Sequence, residues 1–276
     1  MRFICPVCTK KLNIIDARAV CENGHSFDRA RGGYYNLLLS NAGSVHGDNK
    51  EMVLARREFL SLGFYEPLAK RVATLSAKHT PRGGALLDAG AGEGYYTDFC
   101  EKRLFERDGE SDVSAFDISK DAVREIGKKN QRISLAVAGS YHMPIADDEF
   151  DTVINTFSPL APEETLRVIK PDGHFIMAIP GEEHLFELKS AIYKTPYKNT
   201  VEDTSLSGFE LLRDESLTYN MHLDTPEAIR ALFMMTPYAY RTRPEDRKKV
   251  EELKTLDCTA DFRIFVYRKG AKADES

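Results

Sequence analysis

Short apolar runs alternate with stretches of helical periodicity from residue 85 almost to the end of the chain. The first run, Ala85-Leu86-Leu87-Asp88-Ala89, leads into the turn Gly90-Ala91-Gly92-Glu93-Gly94, and helical spacing follows over 95–104. Strand-like runs recur at 113–116, closed by Asp117, at 133–137, followed by Ala138-Gly139-Ser140, and at 151–155. A fifth spans 174–179, behind the turn Lys170-Pro171-Asp172-Gly173. Helices are expected at 181–192, 226–234 and 244–256, and two further strands at 209–222 and 262–268. Strands that alternate with helices predict a doubly wound α/β sheet, mostly parallel. The last two strands would close it as an antiparallel hairpin, for seven in all.

Ligands of such sheets sit at the carboxyl ends of the strands, where the glycine turn lies. Glycines at alternate positions let the backbone approach a ligand closely. The spacing is G-x-G-x-G rather than the dinucleotide pattern G-x-G-x-x-G, a different loop of the kind expected for a ligand with no pyrophosphate to cradle. Asp117, at the end of the next strand, is placed to accept ribose hydroxyls. S-adenosyl-L-methionine, a nucleoside without a pyrophosphate, meets both conditions. Asp88 resembles the acid that enzymes using it place near the amino group or water of the methionine moiety. The cofactor candidates are Asp88, Gly90, Gly92, Glu93, Gly94, Tyr95 and Asp117, with Ser140 near the adenine.

The first forty residues carry different chemistry. Cys5, Cys8, Cys21 and His25 are spaced C-x2-C-x12-C-x3-H, which suits tetrahedral zinc. Four ligands close the metal's shell, so the role is structural: the ion replaces a core this segment is too short to build. Cys100 and Cys258 lie in apolar surroundings and read as core fillers. Five cysteines, three of them in the first 21 residues, do not make a disulfide framework and point to a reducing cytoplasm. The chain has 276 residues, with no apolar run long enough to span a membrane. Its net charge of -5 argues against indiscriminate nucleic-acid binding, yet residues 1–58 are weakly basic while the rest is acidic.

Two longer strings join these motifs. One is Gly24-His25-Ser26-Phe27-Asp28 through Gly33-Tyr34-Tyr35-Asn36-Leu37-Leu38. The other runs from Gly47-Asp48 through Ala55-Arg56-Arg57 and Phe59-Leu60 to Gly63-Phe64-Tyr65-Glu66-Pro67-Leu68. Together with the zinc ligands and the glycine loop they resemble the bacterial 23S ribosomal RNA guanine-N1-methyltransferases, some members of which are known for macrolide resistance. The likeness spans nearly the whole chain, with Ala91 where the family loop usually has Cys. It implies a class I methyltransferase fold with a small N-terminal zinc-knuckle domain. Expected divisions are 1–40 for zinc and RNA recognition, 41–80 as helices packing on the core, 81–270 for methyl transfer, and a disordered tail, 271–276. The resemblance also implies a homodimer, and cofactor contacts from Tyr65 and His184.

A guanine N1 lies on the pairing edge, so the base must be unpaired or flipped to react. Asn155 and Ser158 are candidates to hold that edge and Phe157 to stack on the ring; no general base stands out. Arg29, Arg31, Arg56 and Arg57 are candidates for RNA phosphates, and Tyr34 for a looped-out base, with Arg29 and Arg31 exposed and Tyr35 packed. Two other functions fit less of the sequence: a methyltransferase for a small metabolite with a zinc-stabilised lid, and a non-catalytic RNA-binding sensor of S-adenosylmethionine.

Overall fold

Two sheets carry the chain in the computed structural model, which describes residues 1–39, 47–201 and 204–270. The expected tail, 271–276, and the boundary expected at 40/41 lie outside the described residues. Strands β1 (Asn13–Ile15), β2 (Arg18–Val20) and β3 (Ser26–Asp28) form a small antiparallel sheet. After β4 (Tyr35–Asn36) come helices α1 (Lys50–Ser61) and α2 (Glu66–His79). The expected alternation follows: β5 (Ala85–Ala89), α3 (Tyr95–Asp108), β6 (Asp112–Asp117), α4 (Lys120–Lys129), β7 (Ser134–Val137) and β8 (Phe150–Thr156). It continues through α5 (Pro162–Val168), β9 (Ile169–Pro180) and α6 (Phe186–Ile192). The chain closes with β10 (Phe209–Leu223), α7 (Pro226–Met234), α8 (Tyr238–Arg241), α9 (Pro244–Glu252) and β11 (Leu256–Lys269).

The large sheet runs β10-β11-β9-β8-β5-β6-β7-β4. Its seven expected strands are all present, parallel from β7 to β9, with β10 and β11 as the antiparallel hairpin. The eighth, β4, comes from the N-terminal segment and pairs Tyr35 with Ala136 on β7. Two residues show no periodicity, which is why the sequence does not announce this strand. It covers the edge that β7 would otherwise leave unpaired.

Some boundaries differ from expectation for local reasons. Leu185 adopts φ 56°, so 181–185 form a turn and helix α6 starts only at Phe186. Leu256 belongs to strand β11 rather than to the preceding helix. Strand β9 begins at Ile169 and runs through the residues expected as a turn, 170–173, where a bulge with Asp172 at φ 60° shifts its register with β8.

The N-terminal segment is docked rather than tethered. Phe3, Leu12, Tyr35 and Leu37 are buried in one apolar cluster with Phe116, Phe150 and Phe175 of the large sheet. Arg2 is paired with Asp112 and Glu149. On the other face, Gly127 of α4 lets Gly32 come so close that a Cβ there would overlap the Gly32 carbonyl oxygen. In a free helix, Gly127→Ala would add about 1 kcal/mol of stability. Overpacking here should reverse the sign and cost about 1–3 kcal/mol. Urea unfolding reads the difference, and a rise in midpoint would show that the two segments do not meet at this point.

Candidate active site and metal centre

The connection from β2 to β3 brings Cys21 and His25 up to Cys5 and Cys8, and the four ligand atoms all lie within 4.8 Å of one another. Sγ of Cys8 and Cys21 are 3.6 Å apart, and His25 Nδ1 is 3.5 Å from Cys5 Sγ and 3.3 Å from Cys21 Sγ. Tetrahedral zinc with ordinary bond lengths would set S···S at about 3.8 Å and S···N at about 3.5 Å. The donor set therefore fits a closed structural zinc site.

At the carboxyl end of β5 the glycine loop turns through three left-handed residues, Gly90 (φ 86°), Gly92 (φ 55°) and Gly94 (φ 83°). A side chain at Gly90 would overlap Ser158, so loop and β8 turn meet backbone to side chain. Asp88 is 1% exposed. One carboxylate oxygen accepts from the Thr97 hydroxyl at 2.6 Å, and Oδ1 is buried with no partner. Burial raises its pKa to about 7; the Thr97 bond works against this, and Asp117 and Glu93 add to it. An orphaned buried oxygen beside bare backbone fits the ammonium of a methionine moiety. Asp117 ends β6, as expected, and accepts the Gly92 and Ser119 amides at 2.9 and 2.8 Å, which holds the loop against it. Burial raises its pKa as well. Ser140 follows β7 at the same edge.

A cavity of about 470 Å³ opens beside this loop, lined among others by Arg56, Tyr65, Tyr96, Phe157, Ser158, His184 and Tyr238. Phe157 follows β8 with φ 59° and is 39% exposed. A bulky residue in this backbone region is strained, and such strain gathers at functional sites. Its ring lies 6.0 Å from Tyr96, 5.7 Å from Phe262 and 6.4 Å from both Tyr65 and His184, and the part left exposed lines the cavity. Tyr65 precedes α2 and bonds His184 Nε2 through its hydroxyl at 3.1 Å. The Asp261 amide donates to His184 Nδ1 at 3.3 Å. That bond leaves the proton on Nε2, donating to the Tyr65 oxygen, so the Tyr65 hydroxyl can donate elsewhere. Burial lowers the His184 pKa to about 3, so the ring stays neutral and is no general base.

Four placements correct the sequence reading. Tyr95 turns its ring onto Tyr96 and Phe99, and Tyr96, one helical step on, takes the cavity position. Asn155 is buried, its amide donating to the Ala89 and Pro159 carbonyls, so it braces the loop rather than facing a substrate. Tyr34 is 3% exposed and packed in the core beneath α4, where no RNA base can stack on it. Arg56 also moves: it bonds Asp48 and lines the cavity instead of the outer surface. Arg57 is half-exposed and paired with Glu125. Arg29 and Arg31 are exposed, and Tyr35 is packed.

Strand order, glycine loop and the acids at its rim define a class I S-adenosylmethionine-dependent methyltransferase that carries an N-terminal zinc ribbon. Residues 3–42 match the RlmA N-terminal zinc ribbon family, and residues 86–173 match a Methyltransferase domain family. A 23S rRNA (guanine(748)-N(1))-methyltransferase of Streptomyces fradiae is 30% identical over 257 residues, covering 90% of each chain. Proteins named for the same guanine-N1 reaction in Micromonospora griseorubida and Bacillus subtilis (strain 168) are 34% and 31% identical, covering 87% and 97% of each chain. The chain belongs to the 23S rRNA (guanine-N1)-methyltransferase family. Its cofactors are S-adenosyl-L-methionine and structural zinc. No helix among the described residues is long and apolar enough to cross a membrane.

Proposed function

We propose that this chain methylates N1 of a guanine in a hairpin loop of 23S ribosomal RNA. The observation that carries the reading is Phe157, half-exposed with φ 59° and lining a cavity whose neighbouring wall residue, Ser158, packs against Gly90 of the glycine loop. A flipped guanine stacked on that ring would present its pairing edge toward the loop. S-adenosyl-L-methionine supplies a methyl group on a sulfonium, ready for in-line displacement. The chain's own part is alignment and exclusion of water. Methyl passes to N1 as the N1 proton leaves; among the cavity's side chains His184 is neutral with both nitrogens engaged, so the proton goes to water.

The division of labour follows. Residues 1–40 would select the RNA, with Arg29 and Arg31 on phosphates; 41–80 would pack on the core, and 81–270 would perform the transfer. The cofactor would contact Tyr65, Asp88, Gly90, Gly92, Glu93, Gly94, Asp117, Ser140 and His184, and Ser158 would border the substrate. A ribosomal substrate places the protein in the cytoplasm, and the resemblance adds a homodimer and a link to macrolide resistance.

The test is transfer of labelled methyl to 23S rRNA that lacks the modification, compared with a metabolite pool. RNA should be labelled at a guanine and metabolites should not; label in metabolites alone would sink the reading. Phe157→Ala should raise KM for RNA about tenfold to a hundredfold, as loss of one stacked base does. S-adenosylhomocysteine affinity should stay near the parent value in that variant.

A further inference from the structure

The cavity beside the glycine loop holds one lysine or arginine among its described lining residues, Arg56. Its guanidinium comes within 3.8 Å of where a side chain on Gly92 would begin. Asp48 holds it from one side, and Glu93 and Asp117 act on it through space. Tyr96, 8% exposed, lines the same cavity, and its hydroxyl is buried without a partner. A buried phenol donor left unsatisfied is costly, so the site is built to receive an acceptor. A guanidinium in the same cavity favours an anionic one, and a planar fork suits a carboxylate.

An RNA phosphate is a poor candidate for that anion. Asp48, Glu93 and Asp117 crowd around Arg56 and would repel a polyanion, and the guanidinium is largely enclosed at 28% side-chain exposure. A small zwitterion meets the arrangement better. Its ammonium has the unpartnered Asp88 Oδ1, and its carboxylate then needs a donor group nearby. We propose that Arg56, with the Tyr96 hydroxyl, receives the carboxylate of the methionine moiety of S-adenosylmethionine. Asp48 keeps the guanidinium aimed at the loop. The inference rests on the assignment of this site to that cofactor.

Calorimetry separates the two. S-adenosylhomocysteine, decarboxylated S-adenosylmethionine and methylthioadenosine are titrated into the parent protein, Arg56→Gln, Arg56→Lys and Tyr96→Phe. Arg56→Gln should weaken S-adenosylhomocysteine about tenfold to a hundredfold, as loss of a charge-assisted bond does. Affinity for the two ligands without a carboxylate should not change. Arg56→Lys should recover part of the loss, and Tyr96→Phe should show a smaller loss with the same selectivity. If Arg56→Gln fails to fold, the other two variants carry the comparison. Equal weakening of all three ligands, or a loss confined to RNA binding, overturns the inference while leaving the enzyme reading intact. Failure of the parent protein to bind S-adenosylhomocysteine overturns both.

Discussion

Stripping the zinc, or replacing Cys21 with serine, is expected to unfold residues 1–39 while the sheet from β5 to β11 stays folded. Strands β1, β2 and β3 have three residues each, and of those nine only Ala19 is buried. So small a sheet cannot offset the entropy of ordering its chain, and the metal supplies the difference. Structural zinc in segments of this size contributes about 10–16 kcal/mol in apparent binding free energy at neutral pH. The large sheet has its own apolar cluster on the α2 and α3 face and does not need the arm to fold. It will nonetheless feel the loss. Phe3, Leu12 and Leu37 leave its other face, and β7 becomes an edge when β4 goes. Hydrogen exchange on the chelated protein should show protection lost throughout 1–39, with a lowered melting temperature for the remainder. S-adenosylhomocysteine should still bind, and methyl transfer to RNA should be lost. Unchanged protection in the arm after the metal is verifiably gone would refute the structural role of zinc.

How much of this was legible in the sequence depends on whether the signal was local. The zinc ligands, the glycine loop and Asp117 were, because spacing along the chain sets their geometry directly. So was the order of strands and helices, since each element shows its own period. Residues whose role depends on which way a surface faces were not. Arg56 and Arg57 are neighbours with the same chemistry, and only the docking of α1 sends one into the cavity and the other to Glu125 on α4. Tyr95 and Tyr96 pose the same problem at the start of α3, where one step turns a ring from Phe99 to the cavity. Tyr34 is a candidate for a looped-out base by its residue type alone, in a stretch that holds Gly32 and Gly33. Gly32 and Gly127 allow that stretch to pack tightly, and the tyrosine is buried as a result. The contact of His184 with Tyr65 joins residues 119 positions apart and leaves no trace in local spacing.

Affinity for S-adenosylhomocysteine should weaken about tenfold between pH 8 and pH 6, and Asp88→Asn should abolish that dependence. Burial sets the Asp88 pKa at about 7 in the empty protein, so the carboxyl titrates across this range. Only the ionised form can pair with an ammonium; affinity is therefore full above the pKa and is lost as pH falls through it. Asp88→Asn should bind about tenfold to a hundredfold more weakly at pH 8, because it loses a charge-assisted bond. The sign for stability is opposite. A folded-state pKa above the unfolded value means the folded protein holds its proton more tightly, so stability from this group is greatest below the ordinary carboxylate range. It declines as pH rises toward 7 and is flat beyond. The ligand-free Asp88→Asn protein should then melt higher than the parent at pH 8, although it binds worse. That opposition separates a carboxylate kept for its ligand from one kept for the fold. A variant that melts lower and retains the pH dependence would show that Asp88 serves the core and that the ammonium is held elsewhere.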